Sequence, residues 1–115
     1  MLDKIGIGID LVKIEKFKKF DYKTNSNFYH NIFTSSEIKY CLKFSEPYEH
    51  FAGKFALKEA IIKSIGLKIP LISIITDHNN FQPIVKIKNS SDYSFMVTLS
   101  HEDEFAVAVV ISEKL

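Results

Sequence analysis

Pro47 and Gly66 bracket the segment PYEHFAGKFALKEAIIKSI, and no other stretch constrains the fold of this chain as strongly. Proline suits the first turn of a helix, where its missing N–H would have no partner, and glycine suits the position just past the end. Between them Phe51, Phe55, Ile62 and Ile65 recur at helical spacing, with Leu57 and Ile61 widening the stripe. The spacing predicts one long, core-facing helix. After Gly66 the period changes: IPLISIIT, FQPIVKIKN, SFMVTLS and FAVAVVISEK read as strands, with DHNN and HEDE as turns between pairs of them. Helices followed by a run of strands predict an α+β domain, a small antiparallel or mixed sheet packed against helices that include one long helix.

Upstream of that helix, IGIGID (5–10) reads as a buried strand that stops at a carboxylate. LVKIEKFKKF follows with a helix-like pattern, Ile14, Phe17 and Phe20 on one face and lysines elsewhere. DYKTNSN (21–27) reads as a loop. FTSSEIKYCLKF carries a capping-box pattern, Thr34 with Glu37, which predicts a short helix over 35–44. At 115 residues, without repeats or a Gly/Ser/Pro linker, the chain is expected to form a single domain over 1–115.

Composition removes several function classes. The net charge of +1 argues against a nucleic-acid binder that works by its overall field. All 15 basic side chains are Lys, so a phosphate site must use Lys, His or backbone N–H in place of the bidentate guanidinium. The single Cys41 excludes an intrachain disulfide framework and a Cys-rich zinc site. No apolar run reaches about 18 residues, so no membrane-spanning helix is expected. The N-terminus lacks the pattern of a signal peptide, which points to a cytoplasmic protein.

Three clusters carry residues suited to chemistry. In IGIGID the third glycine of a dinucleotide fingerprint is missing, so Gly6 and Gly8 are expected to admit close approach of another backbone or a ligand. Asp10 is either the N-cap of the next helix or a metal ligand. In KFALKEAIIKS, Glu59 and Lys63 are four apart and either pair on the surface or serve a cation and a phosphate along the helix edge with Lys58. In TLSHEDEFA, His101 is either a solvent-exposed turn residue or a ligand contact beside an acidic turn. Taken together, Asp10 and Glu59 suffice for a Mg²⁺ ion, which takes one or two carboxylates and completes its shell with water and phosphate oxygens.

IGIGIDLVKI, FTSSEIKYC, FAGKFALKEAIIKSIG and TLSHEDEFAVAVVI, in this order, resemble holo-acyl-carrier-protein synthase, the small bacterial family within the 4'-phosphopantetheinyl transferase superfamily. The resemblance spans nearly the whole chain. It implies transfer of 4'-phosphopantetheine from coenzyme A to a serine of apo acyl carrier protein, with release of adenosine 3',5'-bisphosphate, in support of fatty acid biosynthesis. It implies Asp10 and Glu59 as Mg²⁺ ligands, Glu59, Lys63 and Asp10 as the catalytic group, and Lys54, Lys58, Lys63, Gly66 and His101 around coenzyme A. Lys54 stands where relatives commonly carry Arg, and LKIP after Gly66 replaces their glycine-containing turn. Lys16 and Lys19 fall where relatives use basic residues to dock the acidic carrier protein. The resemblance further implies a homotrimer with active sites at subunit interfaces. The competing reading is a non-catalytic module that binds coenzyme A or a nucleotide, which would have no need of both carboxylates.

Overall fold

A computed structural model describes residues 2–115. The elements run β1 (Ile5–Lys13), α1 (Glu15–Lys18), α2 (Ser26–His30), α3 (Ser35–Leu42), α4 (Pro47–Ile65), a 3₁₀ turn (Leu71–Ser73), β2 (Ile74–Asn79), β3 (Gln82–Ile87), β4 (Tyr93–Glu102) and β5 (Phe105–Lys114). The expected α+β architecture is present. β1, β5 and β4 form an antiparallel sheet with β5 in the middle, and β2 and β3 form a separate hairpin. The long helix begins at Pro47 and ends at Gly66, whose φ of 69° supplies the left-handed cap.

Three boundaries differ from the sequence reading. β1 continues through Leu11, Val12 and Lys13, pairing them with Val107, Ala106 and Phe105. The helical pattern of 11–20 therefore yields only the four residues of α1, because the cross-strand pairing of Leu11 and Val12 outweighs it. The expected loop contains the start of α2, a five-residue helix whose Tyr29 is fully buried. The Tyr29 hydroxyl donates to the Phe17 carbonyl at 3.1 Å, and its ring packs against Phe17 and Phe51. A helix this short has no stability of its own and exists through that packing. The segment after Gly66 becomes strand only at Ile74, because a 3₁₀ turn follows Pro70 first.

β1 is half-buried, not buried. Gly6, Gly8, Asp10 and Val12 face α4, while Ile5, Ile7, Ile9 and Leu11 point away from it and are exposed. With Met96, Phe105 and Ile111 they give the outer side of the sheet a wide bare apolar face; Ile7 is 71% and Met96 72% exposed.

The capping box forms as expected: the Glu37 amide donates to Thr34 Oγ1 at 3.2 Å and the Thr34 amide to Glu37 Oε1 at 2.7 Å. The same carboxylate does more than cap. Lys58 donates to Oε1 at 2.8 Å, and the amide and hydroxyl of Thr76 donate to Oε2 at 2.8 and 2.6 Å. Lys58 also donates to the Ile32 carbonyl at 2.7 Å. One carboxylate thus ties α3, α4 and β2 together inside the core. Burial alone would raise the Glu37 carboxyl, but Lys58 and the hydrogen bonds from Lys58, Thr76 and Thr34 outweigh it and hold it below the ordinary range.

A carboxyl depressed in this way stabilises the fold above its unfolded pKa, about 4.3, and that stabilisation is lost as pH falls through the lower folded value. Glu37→Gln leaves the Lys58 ammonium buried without its counter-charge and is expected to cost about 3–5 kcal/mol at neutral pH. The gap between wild type and variant should narrow on acidification below about pH 4. Denaturant melts across pH check this; a gap unchanged from pH 7 to pH 3 contradicts it.

Candidate active site

Asp10 reaches α4 because β1 lies almost on the helix backbone. A Cβ on Gly8 would run into the Ala60 carbonyl oxygen, and one on Gly6 into that of Ser64. The expectation of close backbone approach holds, and the approaching backbone is α4. Two residues further along the same face, Asp10 is carried to Lys63: Lys63 Nζ donates to Asp10 Oδ1 at 3.0 Å and to the Ile9 carbonyl at 2.9 Å. Asp10 does not cap a helix, since it pairs with Ala108 in the middle of β1. Lys63 pairs with Asp10, not with Glu59, so the surface-pair reading of Glu59 and Lys63 gives way. Glu59 lies one helical turn before Lys63 on the same side of α4 and is half-buried.

Asp10 and Glu59 fit a hard divalent cation. The Asp10 carboxylate already holds an ammonium, which marks it as a cation-attracting position, and both carboxylates are partly open to solvent. That leaves room for the water and phosphate oxygens such an ion requires.

Lys58 has a different place from the one expected. It is fully buried, its ammonium taken by Glu37 and Ile32, and it has no exposed surface to offer a ligand. The reading of Lys58 as a coenzyme A contact is corrected on that ground. Its position in the helix follows from the ion pair, and the capping box at Glu37 was the only sequence signal of a partner.

Lys54 is also buried, at 3% exposure, but its surroundings are unlike those of Lys58. Its ammonium donates to Thr76 Oγ1 at 2.8 Å and stands 4.8 Å from the centre of the Tyr40 ring, with no carboxylate in direct contact among the described residues. Burial pushes its pKa down. It borders a pocket of about 220 Å³ shared with Tyr40, Glu49, His50, His78 and His101. His50 and His78 are both pushed down by burial. The His78 ring stacks on Tyr40 with centroids 4.5 Å apart, and its Nδ1 is buried without a partner. His101 lies in the last residues of β4, exposed, 3.7 Å from Glu49. The sequence reading found Lys54 and His101 but missed Tyr40, Thr76 and His78, which carry no spacing signal because they come from α3 and β2, apart in the chain from the elements that bear Lys54 and His101.

Gly66 caps α4 and has open space around it. Lys16 and Lys19 are exposed, Lys16 with its ammonium 4.2 Å above the Phe55 ring. Cys41 is buried, and burial pushes its thiol up to about 12, so it has no thiolate character at neutral pH. No described helix is long and apolar enough to cross a membrane.

The family model of the 4'-phosphopantetheinyl transferase superfamily matches residues 6–110. The chain belongs to this superfamily. A holo-[acyl-carrier-protein] synthase of Thermodesulfovibrio yellowstonii is 36% identical over 92% of this chain and 96% of its own length. One from a Geobacillus species is 38% identical over 96% and 98%. Among solved structures, the synthase of Bacillus anthracis, in complex with CoA (3',5'-ADP), superposes with a TM-score of 0.83 at 29% identity, covering 97% of this chain and 99% of that one. The Helicobacter pylori synthase in complex with coenzyme A gives 0.82 at 28% identity, covering 93% and 99%. The chain is a transferase of the phosphopantetheinyl class.

The geometry of the Asp10–Lys63 pair depends on the bare backbone of Gly8. Gly8→Ala is expected to force β1 away from α4 and cost about 1–3 kcal/mol, while Lys86→Ala, at an exposed position of β3, costs much less. Melting temperatures of the two variants check this, and equal losses contradict it.

Proposed function

We propose that this enzyme transfers 4'-phosphopantetheine from coenzyme A to the serine hydroxyl of an apo acyl carrier protein, with Mg²⁺, and releases adenosine 3',5'-bisphosphate. The observation that carries the reading is Asp10 of β1 beside Lys63 on the side of α4 that also bears Glu59. A regulatory module that only binds coenzyme A has no use for two carboxylates and an ammonium gathered at one place.

Asp10 and Glu59 would hold a Mg²⁺ ion, whose charge supplies neutralisation at the pyrophosphate. Lys63, half-exposed beside Asp10, is suited to the leaving phosphate oxygen, where negative charge grows as the bond to the pantetheine-bearing phosphorus breaks. Glu59 can take the proton of the serine hydroxyl, directly or through water, as the serine oxygen bonds to that phosphorus. The carrier protein brings its own nucleophile, which agrees with the inert thiol of Cys41. Lys54 is a buried ammonium whose direct contacts are a hydroxyl and a ring face, with the Glu37 and Asp77 carboxylates further away, so a phosphate of coenzyme A in its pocket would supply a closer negative charge. His101, at the rim, is suited to the nucleotide end. Gly66 would leave the chain free to turn beside the ligand.

A homotrimer with active sites at its interfaces belongs to the same reading. The bare outer face of Ile5, Ile7, Ile9, Leu11, Met96 and Ile111 supports an interface, since so much contiguous apolar surface is uncommon on a monomer. Action in the cytoplasm and a role in fatty acid biosynthesis follow from the reaction proposed.

Lys63→Ala is expected to lower turnover more than it weakens coenzyme A binding, because its contact strengthens towards the transition state. Asp10→Ala and Glu59→Ala should each abolish transfer with the fold retained. Steady-state kinetics at limiting Mg²⁺ check this. Near-normal turnover in either carboxylate variant contradicts the metal assignment, and a raised Michaelis constant at unchanged turnover contradicts the role of Lys63.

Carrier-protein recognition must come from a local basic surface, because the chain as a whole is nearly neutral. Lys16 and Lys19, exposed on and beside α1, are suited to it. Each exposed pair contributes about 0–1 kcal/mol and is screened by salt. Charge reversal at both should raise the Michaelis constant for carrier protein several-fold and leave that for coenzyme A nearly unchanged. An unchanged carrier-protein constant over a range of salt moves the docking surface elsewhere.

A further inference from the structure

Glu49, His50 and His101 converge at the N-terminal end of α4, far along the helix from Asp10, Glu59 and Lys63. Each offers one ligand atom, and the three atoms lie within 4.8 Å of one another. The convergence is built into the packing. Gly53 lets α4 lie close to β4, because a Cβ there would stand 2.9 Å from Leu99 Cδ1. Leu99 and His101 share a face of β4, and Glu49, His50 and Gly53 share a side of α4, so the contact at Gly53 carries His101 to the helix start. His101 Nδ1 is then 3.7 Å from Glu49 Oε2, and the His50 and His101 rings lie 5.5 Å apart, edge to face.

We propose that Glu49, His50 and His101 form a second metal site, selective for a borderline transition metal such as Zn²⁺ and distinct from the carboxylate pair Asp10 and Glu59. Two imidazoles and one carboxylate are the donor set of open zinc sites, with a fourth position left to water or an oxyanion. The opposite holds at Asp10 and Glu59, where oxygen donors alone suit Mg²⁺. Ligand bonds of 2.0–2.2 Å in a tetrahedron separate donor atoms by roughly 3.4 Å. The Glu49–His101 spacing of 3.7 Å is close to that already, and His50, stacked on Phe44, has its ligand atom within 4.8 Å of the other two and must close the remaining gap as the metal binds. The Lys54 ammonium in the same pocket opposes a cation, but it is turned to Thr76 and Tyr40, and the Glu49 carboxylate offsets it. All three ligands line the pocket that Lys54 also borders, so a metal there would meet an oxyanion seated beside Lys54.

The test uses the whole chain, stripped with a chelator and held without coenzyme A, and so is independent of whether it transfers phosphopantetheine. Co²⁺ is the probe, because four-coordinate Co²⁺ absorbs strongly in the visible and octahedral Co²⁺ does not. The expected result is one intensely coloured Co²⁺ per chain, displaced by Zn²⁺ but not by Mg²⁺, retained in Asp10→Ala and lost in His50→Gln. Circular dichroism and melting of His50→Gln establish that the fold is kept. His50→Cys covers the case in which the glutamine variant fails to fold. It restores a ligand and should add a thiolate-to-cobalt charge-transfer band. Absence of the visible band in wild type, its persistence in folded His50→Gln, its loss in Asp10→Ala, or a cysteine variant without the new band overturns the site.

Discussion

The Glu37 carboxylate is the point on which the rest of the structure depends. It caps α3, neutralises Lys58 of α4 and accepts two hydrogen bonds from Thr76 of β2. A buried ion pair gains little over a well-packed apolar pair, because both charges are removed from water. What this pair contributes is position. An α4 rotated or shifted by a residue would leave Lys58 without Glu37, and a buried unpaired ammonium is among the costliest faults a core can contain. With α4 fixed, Lys54 one turn earlier is delivered to Thr76 and the pocket, and Glu59 and Lys63 are delivered to the side that meets β1.

The second constraint is the closeness of β1 to α4. Two glycines remove the side chains that would keep strand and helix apart, and the carboxylate that follows them is thereby brought to the helix edge. The same arrangement turns the four apolar side chains of β1 outward. Proximity for Asp10 and a bare apolar face are thus two consequences of one alternation, which links the local chemistry to the proposed assembly.

The fold was legible where a local rule had no competitor. Pro47 and Gly66 marked the ends of α4, and the capping box marked the start of α3. It was less legible where tertiary pairing decided. Leu11 and Val12 went to the sheet against a helical pattern, and α2 formed around Tyr29 in a polar stretch. In the candidate site, the nearness of Asp10 to the helix could be expected from Gly6 and Gly8. The partition of the three lysines could not. Lys54, Lys58 and Lys63 look alike in the sequence, yet one faces a pocket, one is closed in the core by Glu37, and one bridges to Asp10. That difference is set by residues 21–53 positions away in the chain, beyond the reach of any helical spacing.

The central claim is that Asp10, Glu59 and Lys63 make this domain a transferase acting on a carrier protein, and one measurement bears on it directly. Apo acyl carrier protein is incubated with the purified chain, coenzyme A and Mg²⁺, and its intact mass is recorded. The account predicts a mass gain of one phosphopantetheine on the carrier, prevented when a chelator removes the divalent ion and absent when the carrier serine is replaced by alanine. A carrier protein of unchanged mass, under conditions in which coenzyme A raises the melting temperature of the chain, would contradict catalysis and leave a binding module in its place.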